Sequence, residues 1–270
     1  MRVLFIGDIV GRSGREVVAA NLGELKRRLA LDLVVANGEN AAGGFGITPA
    51  VCEALYQSGI DVITGGNHIW DQREIIPYID GDPRLLRPLN HVPGTPGRGA
   101  GIFTVAGGRK ALVVSVMGRV FMGEIGDPFA AVDDELAKVR LGATVDFVLI
   151  DIHAEATSEK MAMAQYADGH ASLVVGSHSH VPTADAQVLP GGTAYQTDAG
   201  MCGDYDSVIG MKKEQPIARF RGSVQRERFQ AATGEGTLCA VFVETDERTG
   251  LATQVTPVRM GGRLAPALPE

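Results

Sequence analysis

The chain predicts an α/β fold with two sheets packed on each other, and three features of the sequence carry that expectation. Strand-like apolar runs alternate with segments of helical period through the first part of the chain, which favours a parallel sheet with right-handed crossovers. The runs RVLFI and LVVA are continuously apolar, as in strands covered on both faces. Past Pro182 the pattern turns to strands separated by glycine-rich turns, which suggests a second, mostly antiparallel sheet. With 270 residues, 45% of them hydrophobic, there is enough apolar material for a large core. No repeat, low-complexity tract or linker divides the chain, so residues 1–270 read as one domain.

The elements follow in order. RVLFIGD is a first buried strand, and Val18, Leu22, Leu25 and Leu29 then recur at helical spacing between basic residues, giving an amphipathic helix that covers a sheet face. LDLVVA is a second strand. Thr48 and Pro49 combine an N-cap with proline in the first helical position, and that helix ends at Gly59 before the strand IDVIT. Residues 81–101, rich in proline and glycine, read as a loop or a small edge excursion within the domain. GIFTVAGGRKALVVSV reads as a hairpin closed at Gly107 and Gly108. A helix through Val132, Leu136 and Val139 leads into DFVLIDIH, and ATSEKMAMAQYA is a helix leading into SLVVGSHSH. The later strands are AQVLP, TAYQT, TLCAVFVETD and ATQVTPVRM.

Composition removes several function classes. A net charge of −7 argues against an extended nucleic-acid-coating surface, which needs a basic face to displace counterions. Cys52, Cys202 and Cys239 are odd in number and widely spaced, so neither a disulfide framework nor a thiolate zinc site is expected, and a reducing cytoplasm fits best. The N-terminal apolar run breaks at Gly7-Asp8, too soon for a signal peptide or membrane span.

Five strand-like runs stop at residues that can bind a metal. They end on Asp8, on Glu39 and Asn40, on Asn67 and His68, on His153, and on His178 and His180. In an open α/β sheet ligands gather beyond the carboxyl ends of the strands, so these remote residues are expected to converge. His178 and His180, at i and i+2 on a strand exit, are expected on one side. The set offers oxygen and imidazole donors but no thiolate, which suits manganese, iron or zinc in open coordination. Seven donors oversupply one ion. Two ions about 3.5–4 Å apart, bridged by the Glu39 carboxylate, would use them all and suit displacement at phosphorus. Two divalent ions, less Asp8, Glu39 and a bridging hydroxide, leave about one positive charge to draw an anionic phosphodiester.

The segments GDIVGRSGR, NGENAAGGFGIT, GGNHIWD, DIHAEATSEK, GSHSHVPTAD and TDAGMCGDYDSVIG resemble the YmdB-like branch of the metallophosphoesterase superfamily. Val10 stands where the wider superfamily has a histidine, and Glu39-Asn40 stands where it has an aspartate; the YmdB-like branch shares both departures. The resemblance implies a four-layer αββα sandwich with two packed mixed sheets. It implies a first metal held by Asp8, Glu39, Asn40 and His180, and a second held by Glu39, Asn67, His153 and His178. It points to iron, with manganese or zinc as alternatives, and to 2′,3′-cyclic nucleotides hydrolysed by in-line attack of a metal-bridging hydroxide. His68 is then the proton donor to the leaving oxygen; independently, a strand-end turn lets Asn67 face a metal while His68 reaches away from it. Two other readings stand beside this one: a phosphomonoesterase, and a regulatory protein that binds a nucleotide or an RNA-processing partner and keeps the metals for folding. Whether copies associate into a homo-oligomer is open.

Other residues carry weaker expectations. GRSGR opens the first helix, where Ser13 is a cap or the backbone cradles a phosphate, with Arg12 or Arg15 on the substrate. The glycine-rich NAAGGFGIT is a pocket rim or a tight turn. Trp70 and Asp71 are expected to orient or underlie His68. His91 and His170 read as structural or surface residues, and Asp198, Gly200 and Asp206 lie in a loop to which chemistry alone assigns no role.

Overall fold

In a computed structural model, which describes residues 1–222 and 228–269, the chain begins with β1 (Arg2–Ile6), β2 (Asp8–Ile9), α1 (Gly11–Arg28), β3 (Leu33–Asn37), α2 (Pro49–Gln57), β4 (Val62–Thr64), α3 (Ile75–Ile79) and β5 (Leu85–Leu86). Strands β1, β3, β4 and β5 are parallel neighbours, as the alternating pattern predicts. Helix α1 buries Val18, Leu22 and Leu25 against the sheet. Thr48 caps α2, its hydroxyl accepting the Val51 N–H at 3.3 Å. The chain leaves α2 through Gly59 at φ +107°, a conformation that glycine adopts without steric cost. The proline-rich stretch contributes β5, at a sheet edge, and runs into the next strand at Ala100.

Next come β6 (Ala100–Thr104), β7 (Lys110–Met117), α4 (Pro128–Leu136), β8 (Phe147–His153), α5 (Thr157–Tyr166) and β9 (Leu173–Ser177). β6 and β7 form the expected antiparallel hairpin, in register from Ala100↔Val114 to Thr104↔Lys110. β7, β8 and β9 are parallel. The last part comprises β10 (Gln187–Val188), β11 (Ala194–Gln196), β12 (Met201–Asp204), α6 (Glu214–Phe220), β13 (Gly236–Thr245) and β14 (Ala252–Met260).

These late strands do not make the second sheet on their own, contrary to the sequence expectation. β13 pairs antiparallel with β1, β12 and β14, so it completes the first sheet in the order β2-β12-β13-β1-β3-β4-β5, with β14 on β13. β10 and β11 instead extend the later parallel strands into a sheet of order β10-β11-β9-β8-β7-β6, in which β11 runs parallel to β9. Apolar periodicity reports that a strand is buried, not which sheet takes it.

Alternating side chains of the central strands enter different layers. Val3, Phe5, Leu33 and Val35 face Val113, Phe147, Leu149 and Val175 between the sheets. Leu4, Ile6, Val34 and Ala36 turn the other way onto α1 and α2, while Val114, Val148 and Ile150 meet α4 and α5. The result is helices, sheet, sheet, helices: the expected four-layer αββα sandwich. Among the described residues no helix is long and apolar enough to cross a membrane.

Candidate metal centre

The geometry is clearest around His153, the last residue of β8. Its ring is fully buried. Nδ1 lies 2.9 Å from Ser177 Oγ, and that hydroxyl donates to Asp151 Oδ1 at 2.7 Å. Because the serine proton is committed to Asp151, its oxygen accepts the His153 Nδ1–H, and this leaves Nε2 as the free donor atom. Asn37 Nδ2 and the Thr64 hydroxyl complete the hold on Asp151.

Around Nε2 stand Asn67 Oδ1 at 2.9 Å, His178 Nδ1 at 3.1 Å and Glu39 Oε1 at 3.2 Å. Ligand atoms each about 2.1 Å from one ion sit roughly 3.0–3.4 Å from one another, so the spacing is that of a coordination shell. One ligand atom each from Glu39, His153 and His178 falls within 4.8 Å of the others.

The second half of the cluster adjoins it. Asp8 Oδ2 accepts the His178 N–H at 3.1 Å, while Oδ1 is buried without a hydrogen-bond partner among the described residues. His180 Nε2 lies 3.8 Å from that orphaned oxygen, its Nδ1 being occupied by the Ile209 carbonyl at 2.8 Å. Asn40 Nδ2 sits 3.0 Å from Glu39 Oε1 and 3.2 Å from His180 Nε2. A buried carboxylate oxygen without a partner is costly, and a cation relieves it. Two carboxylates, two amides and three imidazoles therefore fit a hard or borderline metal pair.

Electrostatics carries the same demand. Burial pushes the Asp8 carboxyl up to about 6. Burial works the same way on Glu39, but the facing His153 ring overrides it and holds the carboxyl at about 2. His153 shows the reciprocal effect: burial lowers it, yet Glu39 and Asp8 pull it up to about 9. His178 falls to about 3 through burial and its proximity to His153. The carboxylates thus call for positive charge at this point, which a divalent ion would supply while leaving the imidazoles neutral.

His178 and His180 do converge, but not by strand alternation. β9 ends at Ser177, and both histidines have positive φ, 100° and 64°. Such a turn is strained in non-glycine residues and must be held. The buried Asp198 does so: Oδ2 accepts the Ser179 N–H at 3.0 Å and the Lys160 ammonium at 2.7 Å, and Oδ1 accepts the Gly200 N–H at 2.8 Å. The Gly200 carbonyl in turn takes the Asp8 N–H at 3.0 Å. Gly200 is required here, since φ is +82° and a Cβ would strike Pro182. Sequence reasoning noted Asp198 and Gly200 without a role and missed Lys160, Asp151, Ser177, Asn37 and Thr64. Buried polar residues inside apolar strands were the available signal; for Lys160 there was none, because a helical lysine reads as solvent-facing.

A cavity of about 440 Å³ opens onto the cluster, with Glu39, Asn40, His68, His178 and His180 among its lining. His68 donates its backbone N–H to Glu39 Oε2 at 2.9 Å and sets Nδ1 3.1 Å from Asp71 Oδ2. Trp70 packs into the core and edge-on to His91, ring centroids 6.2 Å apart. Phe45, carried by the glycine-rich turn, meets the His68 ring at 5.1 Å. Glu155, not singled out from sequence, lies 3.2 Å from His178 Nε2 at the cavity lining.

Arg12 pairs with Glu16 at 2.7 Å on the exposed face of α1, and Arg15 donates to the Ala41 carbonyl, so neither is in the cavity lining. Ser13 is not the helix cap: Val10 occupies that position without a side-chain bond, and the Ser13 hydroxyl donates to the Gly234 carbonyl at 2.7 Å. His170 is exposed. Asp206 pairs with Lys213 and Arg263 away from the cluster.

A family model described as YmdB-like protein matches residues 4–258. The 2′,3′-cyclic-nucleotide 2′-phosphodiesterase of Bacillus subtilis is 45% identical over 255 residues, covering 94% of this chain and 95% of that protein. A crystal structure of a hypothetical protein from Thermus thermophilus aligns with TM-score 0.90 and 44% identity over 97% of this chain and 100% of its own. One of a Mycoplasma pneumoniae protein described as a novel phosphatase aligns with TM-score 0.89 and 33% identity over 97% and 93%. The resemblance first visible in the strand-end motifs thus extends through nearly the whole chain, and the protein belongs to the YmdB-like family.

Proposed function

We propose that the protein is a dinuclear metal-dependent phosphodiesterase whose substrates are 2′,3′-cyclic nucleotides. The observation that carries this reading is the Glu39 carboxylate, which faces the Asn67–His153–His178 group, together with the Asp8 oxygen beside His180 that has no hydrogen-bond partner among the described residues. Asp8, Glu39, Asn40 and His180 would hold one ion, and Glu39, Asn67, His153 and His178 the other; iron is the ion proposed. When bound, the pair supplies Lewis acidity toward the phosphoryl oxygens and a hydroxide nucleophile at neutral pH.

The chain's own residues do the rest. The Ser177–Asp151 pair keeps the His153 ring in one tautomer and orientation. Asp71 accepts the Nδ1–H of His68, so that in the imidazolium form the Nε2–H is the proton handed to the departing oxygen, leaving a neutral ring. The 45% identity to a named 2′,3′-cyclic-nucleotide 2′-phosphodiesterase supports the substrate class. Relatives in Mycoplasma carry the double description phosphatase/phosphodiesterase, so monoester hydrolysis is the second reading. Cys52, Cys202 and Cys239 are free, buried thiols, which suits a cytoplasmic protein.

Elemental analysis of freshly purified protein, paired with turnover of bis-p-nitrophenyl phosphate and p-nitrophenyl phosphate, tests the proposal. Two ions per chain and faster diester turnover are expected, with both lost in Glu39→Gln and only turnover lost in His68→Ala. Full activity after exhaustive chelation would end the reading.

A further inference from the structure

The cavity has two unlike sides. One is the donor cluster with His68; the other is an apolar wall of Phe45, Ile209, Met211 and Phe229, with Arg219 beside it. Phe45 and Phe229 both lean on the buried trio Val10, Met201 and Met211, so the wall is anchored to the body of the protein. Each ring carries a guanidinium: Arg219 Cζ lies 5.6 Å from the Phe229 centroid, and Arg228 Cζ lies 5.1 Å from that of Phe45. Apart from the Ile209 carbonyl against His180 Nδ1 and the Phe45 ring against His68, the proton transfer and metal binding proposed above do not use this wall.

We infer that the wall is a nucleobase subsite, in which the base stacks against Phe229 and Phe45 beside Arg219 while the phosphate lies at the donor cluster. The placing of the phosphate rests on the phosphodiesterase reading. The chemistry of the wall selects the class of ligand. Aromatic rings in a water-accessible cavity gain by stacking on a flat π-system, and a guanidinium laid over such a ring adds cation–π attraction and N–H donors for the base edge. An aliphatic lipid chain gains nothing from that charge. The cavity's 440 Å³ lies toward the lower end of the range for small-molecule sites, about 300–1,000 Å³, which suits a mononucleotide. The net charge of −7 likewise disfavours a polynucleotide strand.

Calorimetric binding of adenosine 3′-monophosphate and of ribose 3-phosphate to the metal-loaded protein tests this, with turnover of adenosine 2′,3′-cyclic monophosphate and of its base-free methyl riboside analogue measured in parallel. Wild type is expected to prefer the base-bearing member of each pair. Phe229→Ala should cut that preference about tenfold, through Kd and KM rather than kcat. Phe229→Leu keeps apolar contact with Met211 but lacks the ring, so it should behave like Phe229→Ala even if the smaller residue disturbs folding; Phe229→Trp should retain the preference. Equal binding of both ligands by wild type, or a preference untouched in the alanine and leucine variants, would overturn the inference. Base-dependent binding without cyclic-nucleotide hydrolysis would leave the subsite standing and sink the phosphodiesterase reading; hydrolysis indifferent to the base would do the reverse.

Discussion

Lys160→Met should be far more damaging than its position on a helix suggests. The Lys160 side chain is essentially fully buried, and its ammonium sits 2.7 Å from Asp198, itself fully buried. Removing one partner of a buried ion pair costs about 3–5 kcal/mol, because the remaining charge stays desolvated and uncompensated. Here the stranded carboxylate keeps the backbone N–H groups of Ser179 and Gly200, which places the expected loss near the lower end, about 3 kcal/mol. That is a large share of the roughly 5–15 kcal/mol that holds a domain together, and it lowers Tm by about 6–12 °C at this chain length. The double variant Lys160→Met with Asp198→Asn removes the charge and retains an amide oxygen for one of those donors, so it should lie only about 1–2 kcal/mol below wild type. Urea denaturation of the three proteins supplies the free energies. Elemental analysis supplies a second readout, since the single variant should also bind metal less tightly as the His178–His180 turn loosens. A single variant within about 1 kcal/mol of wild type, or a double variant less stable than the single, would refute this account.

Three other outcomes follow from the same geometry. Gly66→Ala should fold yet lose metal and turnover, because a Cβ there would collide with the His153 ring and Glu39 Oε2; retention of both ions on elemental analysis would count against the cluster as a binding site. Asp71→Asn should lower kcat roughly 10- to 100-fold without loss of metal, since Asp71 fixes the His68 ring at 3.1 Å; an unchanged kcat would show that Asp71 does not position His68 for proton transfer. Burial works to raise the Asp185 carboxyl, but hydrogen bonds from Thr183 and Thr197 win and hold it below the ordinary carboxylate range. Its folded pKa being the lower one, its contribution to stability is present above about pH 4 and lost as pH falls through the depressed value. Asp185→Asn should therefore cost about 1–2 kcal/mol at pH 7 and progressively less as the pH falls through that depressed value, and a gap that stays constant as the pH falls would show that the charge is not responsible.

The strand-end donors were legible because a parallel sheet leaves its chain little choice. Each strand delivers its last residues to the carboxyl edge of its own sheet, so Glu39 and Asn67 could be placed together on the first sheet, whereas His153 joins them only through the packing of the second sheet on the first. The left-handed turn at His178 and His180 was not legible, since the residues that stabilise it come from α5 and from the loop after β11. Nor was the sheet to which β13 belongs: residues 238–243 are apolar on both faces, and either sheet could have used them. The apolar cavity wall escaped notice for a related reason, because Ile209, Met211 and Phe229 show neither strand nor helix periodicity and read as ordinary loop residues.

The two sheets contribute unlike chemistry to the centre. Asp8, Glu39, Asn40 and Asn67 follow strands of the first sheet, whereas His153, His178 and His180 come from β8 and the exit of β9 in the second. Oxygen donors on one side therefore meet imidazoles on the other, across the seam where the apolar layer between the sheets ends. Neither sheet brings the whole set: the first contributes both carboxylates and both amides, and the second contributes the three imidazoles. Only their packing creates the site. The Asp198 network joins the same seam, carrying the backbone of Asp8 and the turn of His178 on one buried carboxylate. The spacing between the carboxylate and imidazole halves of the cluster thus depends on residues outside it, and a sequence pattern built from candidate ligands alone could not have found them.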